Sequence, residues 1–379
     1  MPLYELAILG APSKSQAREL KAELAQIVAQ FALTLGKEIS WSVKPASFNP
    51  SPRHASAAIF VGAISASDDG LVHLLRQGVP IIPVASRPER FSAEIPTVLR
   101  RLNGLTFQGD GSRRIVTGLL ECAGLLPRQR RVFVSYRRQE SREVALQLFD
   151  AFSARLFDVF LDTHGIPPAE DFQAMLWHRL CDSDVLVMID TPGYFESRWT
   201  SAEFGRALSK GIAVLRVGWP GCAPSLRAGT SGTIELAATE LDATSGRISS
   251  PAIDRICHET EALRSESIAV RHLNLVSGIE QGLKSIGGSM EGVGLHKGVH
   301  IRLPDGTSLV AYPITGSPTS LTLQEAADHS PTSPPAVVYD HVGLHVNHLG
   351  HLDWLGGHIP TVRLVKACET AWRFAGWGV

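Results

Sequence analysis

Five cysteines stand far apart in 379 residues: Cys122, Cys181, Cys222, Cys257 and Cys368. They form no CxxC pair, so neither a disulfide framework nor a cysteine metal site is expected, and a reducing cytoplasm is the natural home. Long apolar runs are missing too. No stretch approaches the roughly 18 residues of a membrane span, and Met1-Pro-Leu-Tyr-Glu5 lacks the basic-then-apolar pattern of a signal peptide. Neither sign of charge is in excess: Lys and Arg number 36 against 37 Asp and Glu, a net charge of −1. That balance gives no general footprint for nucleic acid or an anionic membrane. No Walker loop, GxSxG elbow or HExxH pattern occurs, which excludes the chemistries those motifs carry.

What is present is ordinary globular material, 44 % hydrophobic and 19 % charged, with length for two or three domains. The first segment reads as strands at Tyr4–Leu9, Ile39–Val43, Ala57–Val61 and Val79–Val84. Ser13 and Gln16 have capping-box spacing, and Leu20, Leu24, Ile27 and Phe31 follow on one helical face. Phe91–Leu102 and Arg113–Leu125 read as helices. The central segment repeats this grammar. Strands at Val132–Ser135, Val159–Leu161, Val185–Ile189 and Ile212–Val217 alternate with helices on Val144, Leu148, Phe152 and Leu156, then at Phe172–Leu180 and Arg198–Ser209. This is the pattern of a parallel α/β sheet with a site at its strand ends.

The two segments align as a degenerate internal repeat with a period of roughly 130 residues. Glu203 lies eight residues before Gly211, whereas Gly70 lies eight before Gly78. The first copy therefore lacks the carboxylate of the second. Beyond a Gly/Ser/Thr-rich tract, a long helical pattern starts at Asp254 and carries Ile256, Leu263, Val270, Leu273, Val276, Ile279 and Leu283. Asp305-Gly306 then marks a hairpin between Val299–Leu303 and Ser308–Tyr312. A strand at Ala336–Tyr339 and a helix near Val362–Phe374 end the chain. His341, His345, His348, His351 and His358 crowd one late segment. Gly343, Gly350, Gly356 and Gly357 speak against a long helix there, so a loop-rich surface for a partner or small ligand is expected rather than a metal site.

Four boxes in the central segment carry a resemblance. Phe133-Val-Ser-Tyr-Arg-Arg138, Phe160-Leu-Asp162, Ser183-Asp-Val-Leu-Val187 and Trp199-x-x-x-Glu203 resemble, in order and spacing, the signature boxes of a TIR (Toll/interleukin-1 receptor) domain. The resemblance covers about a third of the chain and leans to the NAD-cleaving, prokaryotic immune-effector type. It implies a flavodoxin-like parallel-sheet TIR domain at 128–238, flanked by a degenerate TIR-like α/β domain at 1–127. A linker at 239–253 and a smaller C-terminal α/β sensing or assembly domain at 254–379 complete the expectation.

The same resemblance makes Glu203 the catalytic carboxylate of an NAD+ glycohydrolase, with NAD as substrate and no further cofactor. Phe133, Tyr136, Arg137, Arg138, Asp162 and Trp199 become substrate-binding candidates. A carboxylate suits this reaction because oxocarbenium charge develops on the ribose as nicotinamide leaves neutral. Arg suits a pyrophosphate through its bidentate fork. Alternation gives one of Arg137 and Arg138 to the site and leaves the other solvated or paired with Glu140. Pro168-Ala169 stands where family members often have Pro-Gly, a departure in the loop 163–171. Implied partners are further copies through the TIR domain and a small-molecule or protein activator at the C-terminal domain, with no membrane or nucleic acid. A non-enzymatic TIR adaptor is the alternative.

Overall fold

The computed structural model describes residues 2–62, 70–161, 172–196, 198–224, 232–331 and 333–378, without the side chains of 172–175, 198–200, 202, 203 and 206. By internal contact the chain divides into two compact units, one of residues 1–126, 269–341 and 350–379, the other of residues 127–268 and 342–349.

The first unit opens with strands β1 (Tyr4–Gly10), β2 (Ile39–Val43), β3 (Ala55–Val61), β4 (Ile81–Ala85) and β5 (Leu105–Thr106). They form an all-parallel sheet in the order β2-β1-β3-β4-β5. Its central strands are buried along nearly their whole length, as the apolar runs require. Helix α1 (Lys14–Ala29) starts on the expected capping box: the Gln16 N–H donates to Ser13 Oγ at 3.2 Å, and the Ser13 N–H donates to Gln16 Oε1 at 2.8 Å. Helix α2 (Leu71–Arg76) precedes β4.

The helix expected at Phe91–Leu102 is instead a single turn, α3 (Phe91–Glu94), followed by a 3-10 turn at Thr97–Leu99. Ile95 is extended (φ −99°, ψ 129°) because it precedes Pro96, whose ring disfavours helical backbone at the residue before it. Helix α4 (Gly111–Cys122) then packs on the sheet through Ile115, Val116 and Leu119.

The second unit repeats this topology. Strands β6 (Arg131–Ser135), β7 (Asp158–Leu161), β8 (Val185–Asp190), β9 (Ala213–Gly218) and β10 (Gly232–Glu235) lie in the order β10-β9-β8-β6-β7, again all parallel. Read from the opposite edge, this is the order of the first sheet, strand for strand. Helices α5 (Arg138–Ser153), α6 (Phe172–Asp182) and α7 (Arg198–Ser209) connect the strands. The two-residue period of β6 divides its side chains between two cores. Val132, Val134 and Tyr136 pack with Val144, Leu148 and Phe152 of α5, while Phe133 packs with Leu180, Leu186 and Phe204 on the opposite face. Residues 239–253 contain a bridge between Leu241 and Ile248, and Ile248 and Ala252 belong to the core of this unit.

Helix α8 (Ser250–Ser285) starts four residues before the expected Asp254 and contributes to both units. Of the apolar stripe expected, Ile256, Val276, Ile279 and Leu283 are buried and Val270 is exposed, but the buried surface is wider than that stripe, because Thr260, Glu261, Arg264, Ser265, Ser267, Arg271 and His272 are buried as well. In the second unit Arg130 holds Glu261 with two bonds of 3.0 and 2.8 Å, and Arg264 Nε donates to Asp184 at 2.9 Å. Such charges are tolerated inside a protein only when paired and hydrogen-bonded.

The first unit also holds a mixed sheet: β11 (Ser289–Val293), β12 (Val299–Arg302), β13 (Ser308–Ile314), β14 (Ala336–Tyr339) and β15 (Arg363–Lys366), hydrogen-bonded in that order. The first two pairs are antiparallel and the last two parallel. Helix α9 (Ser320–His329) joins β13 to β14, and α11 (Thr370–Ala375) ends the chain. Between β14 and β15 runs α10 (Val346–His358), a thirteen-residue helix through Gly350, Gly356 and Gly357, where the glycines argued for loop. Their cost of about 3 kcal/mol in total is offset by burying Leu352 and Leu355, about 3–6 kcal/mol together.

Candidate functional site

At the end of β6 the chain turns into α5 at Tyr136, Arg137 and Arg138. Phe133 and Tyr136 are buried in the two cores, Phe133 with its ring centroid 5.0 Å from that of Phe160. Arg138 is exposed. Arg137 is the arginine that pairs with Glu140: its Nη1 lies 2.7 Å from Glu140 Oε1 and 3.0 Å from Glu196 Oε2. Gly193 permits this placement, since a Cβ there would run into the Arg137 guanidinium. The Gly193 N–H also donates to Glu140 Oε2 at 3.2 Å. Burial pushes the Glu140 carboxyl up, but the nearby Thr191 hydroxyl, the Gly193 N–H and the Arg137 charge together outweigh it and hold the group below its ordinary value.

The neighbouring strand ends add a buried charged network absent from the sequence-based candidates. Arg216, fully buried on β9, donates from Nε to Asp190 Oδ2 at 2.5 Å and from Nη1 to Glu235 at the end of β10. Burial pushes the Arg216 pKa down, and its two carboxylate partners more than reverse this, so the charge is secure. Gly218 leaves room for the pair, because a Cβ there would meet both Glu235 and the Arg216 guanidinium. Cys222 lies close enough to feel these groups: burial, then the Asp190 charge, holds its thiol above the usual range. A signal was available, since Arg216 interrupts the apolar run Ile212–Val217 and Asp190 closes the run that begins at Val185. On the opposite face of β6, Ser135 Oγ and Tyr194 Oη share a buried hydrogen bond of 2.7 Å.

Trp199 and Glu203 fall on α7, whose backbone begins at Arg198 directly after the 3-10 turn Tyr194–Glu196 at the end of β8. Ser201 Oγ donates to Phe195 O at 3.1 Å, and Phe204 and Ala207 are buried. The side chains of Trp199 and Glu203 lie outside the described residues, as do Asp162 and the loop 163–171. The late histidines do not converge. The His348 ring lies tilted with its centroid 4.4 Å from that of His178, the His345 ring 6.1 Å from that of Trp177, and His341 Nδ1 is 3.9 Å from Cys368 Sγ. Among the described residues no group of three or more His, Cys, Asp or Glu is arranged to hold a metal ion, and no helix is long and apolar enough to cross a membrane.

Comparison with solved structures finds a probable two-component system response regulator/GGDEF domain protein, 16 % identical over 68 % of this chain and 98 % of that one, with a TM-score of 0.24. It also finds tagatose-6-phosphate ketose/aldose isomerase from Escherichia coli, 13 % identical over 71 % and 82 %, with a TM-score of 0.19. Overlays this loose carry no argument. No curated protein matches. A family model is decisive where these are not: the model described as TIR domain matches residues 132–245, the stretch that holds the second parallel sheet and its strand-end charges. Residues 132–245 of the chain are thus a TIR domain, and the second sheet is the flavodoxin-like sheet of that domain.

Proposed function

We propose that the TIR domain cleaves the nicotinamide–ribose bond of NAD+, releasing nicotinamide and ADP-ribose or a cyclised ADP-ribose. The observation that carries this reading is the course of the chain at one sheet edge. β6 delivers Arg137 there, β8 ends there at Asp190, and α7 with its Trp199-x-x-x-Glu203 sequence follows from the same edge. Open α/β sheets bind ligands at the carboxyl ends of their strands.

In this reading Glu203 stabilises the oxocarbenium charge that grows on the ribose as the glycosidic bond breaks, and Trp199 walls the pocket. Nicotinamide leaves as a neutral molecule, so no general acid is needed, and water or the adenine ring captures the ribose carbon. Against the alternation expected from the sequence, the arginine that pairs with Glu140 is here also the one given to the substrate: Arg137 exchanges the exposed Glu196 for the pyrophosphate, which its planar fork suits better. Glu140 and Gly193 hold the guanidinium ready for that exchange. Self-association of TIR domains gates the activity, and the biological role is NAD depletion or nucleotide signalling in the cytoplasm during anti-phage defence.

The test is to incubate the purified chain and Glu203→Ala with NAD+ and to follow nicotinamide by chromatography. The variant should lose about 10²-fold or more in rate, the size expected for removing a group aimed at transition-state charge. Equal release by both proteins refutes the assignment. No release by either, with self-association intact by light scattering, favours the adaptor.

A further inference from the structure

In the first unit a cavity of about 600 Å³ opens beside β15, within the size range of small-molecule sites. Tyr339 and Lys366, the last residues of the parallel strands β14 and β15, both line it. It runs along the whole of β15, from Arg363 to Lys366, and reaches the carboxyl end of β14 at Tyr339, with residues of α10, α11 and the segment before β15 contributing the remaining walls.

Three observations point to a ligand. Tyr339 is only 2 % exposed, and its hydroxyl, which has no hydrogen-bond partner among the described residues, is left to the cavity that the residue lines. Burial, then the nearby Asp353 and Glu369, pushes its pKa up to about 12, so it retains a proton to donate. Second, Lys366 Nζ and Arg373 Nε share one carboxylate, that of Glu369, at long distances of 3.7 and 3.4 Å. Contacts this loose leave both cations available to a stronger anion. Arg363 is held in place, its guanidinium 4.5 Å over the Trp377 ring and donating to Trp377 O at 2.6 Å. Third, Trp372 is 56 % exposed at the cavity although it is a large aromatic, and Arg373 lies 4.4 Å over its ring.

An exposed indole face, two loosely committed cations and a free phenol donor describe a planar ring, an anion and an oxygen acceptor in one molecule. We propose that this cavity binds a nucleoside monophosphate, with the base on Trp372, the phosphate on Lys366 and Arg373, and the Tyr339 hydroxyl donating to a ribose or phosphate oxygen. Stacking on an aromatic face accepts any base, so the cation pair and the phenol set affinity more than the choice of base does.

Isothermal titration calorimetry of the full chain with AMP, GMP, CMP and UMP, each alone, tests this. At least one monophosphate should bind saturably, with adenosine and inorganic phosphate each weaker by about tenfold or more. Lys366→Ala with Arg373→Ala should weaken binding by about tenfold or more. Tyr339→Phe, which keeps the packing, should weaken it by a smaller factor, with circular dichroism and unfolding midpoint unchanged in both variants. Absence of heat with all four nucleotides overturns the proposal, as does binding that these folded variants retain in full. Binding abolished by Glu203→Gln but kept by Lys366→Ala would put the nucleotide in the TIR domain and equally refute it.

Discussion

The first and second parallel sheets share a strand order but close their carboxyl edges in different ways. In the first sheet the described edge is filled by the chain itself. A Cβ at Gly10 would strike the Val61 carbonyl, one at Gly62 would lie 2.7 Å from Glu94 O, and one at Gly104 would strike the Phe91 ring. The buried Glu94 is occupied by Ser86, accepting from its N–H and its hydroxyl at 2.7 Å each. In the second sheet the same edge is left to side chains: Arg137, Glu140, Asp190, Arg216 and Glu235. The helix before the fourth strand differs in step. α7 has twelve residues and includes Glu203, whereas α2 has six and begins after Gly70, itself left-handed at φ 80°. Both chains then turn at a left-handed glycine, Gly78 (φ 69°) or Gly211 (φ 67°). One topology thus serves once as a packed scaffold and once as a frame for charge.

The largest effect that would sharpen this contrast concerns burial of charge. Glu261→Ala leaves Arg130 and Arg264 without their shared carboxylate in a dry interior and should cost about 3–5 kcal/mol in urea unfolding. Glu94→Ala in the first sheet only frees the Ser86 donors and should cost about 1–3 kcal/mol. Equal losses would erase the distinction.

Lower pH should weigh on the unit that holds the first sheet. Burial pushes His272 down to about 3 and His300 down to about 4. Their unfolded values are near 6.5, so below that pH the unfolded chain takes up protons that the folded one refuses. Stability is therefore complete above pH about 6.5 and falls toward the folded values, by up to about 1.4 kcal/mol per pH unit for each histidine. Urea midpoints at pH 7 and 5 should differ less in His272→Leu than in the parent chain.

The smallest effect tests the equivalence of the two turns. Gly78→Ala and Gly211→Ala each force a side chain into left-handed backbone and should each cost about 1 kcal/mol. The first should cost slightly more, because its Cβ meets Val276 at 3.3 Å while that of Gly211 meets nothing. Thermal midpoints that diverge widely would break the alignment of the repeats.

What could be read in the sequence was whatever apolar period and turn chemistry encode. The buried strands, the Ser13–Gln16 cap and the Asp305-Gly306 hairpin all follow from local rules, while which of Arg137 and Arg138 pairs with Glu140 does not. Polar burial was not legible. Hydropathy finds the buried Ile256, Val276, Ile279 and Leu283 of α8 but not its buried charges, because Arg130, Asp184, Glu261 and Arg264 neutralise one another across 134 positions, from 130 to 264. Helix α10 was hidden for a related reason, since glycine propensity is local and the packing of Leu352 and Leu355 is not. In the site, the run of boxes located the sheet edge, while the Arg216 network needed strands β8, β9 and β10 to be side by side.

The central claim is that only the second of the two matching sheets carries a working carboxylate. Nicotinamide release from NAD+ by the parent chain, Glu203→Gln and Gly70→Glu, compared at matched folding and self-association, tests it most directly. The account predicts loss of release in Glu203→Gln and parent-level release in Gly70→Glu. Undiminished release by Glu203→Gln would contradict it.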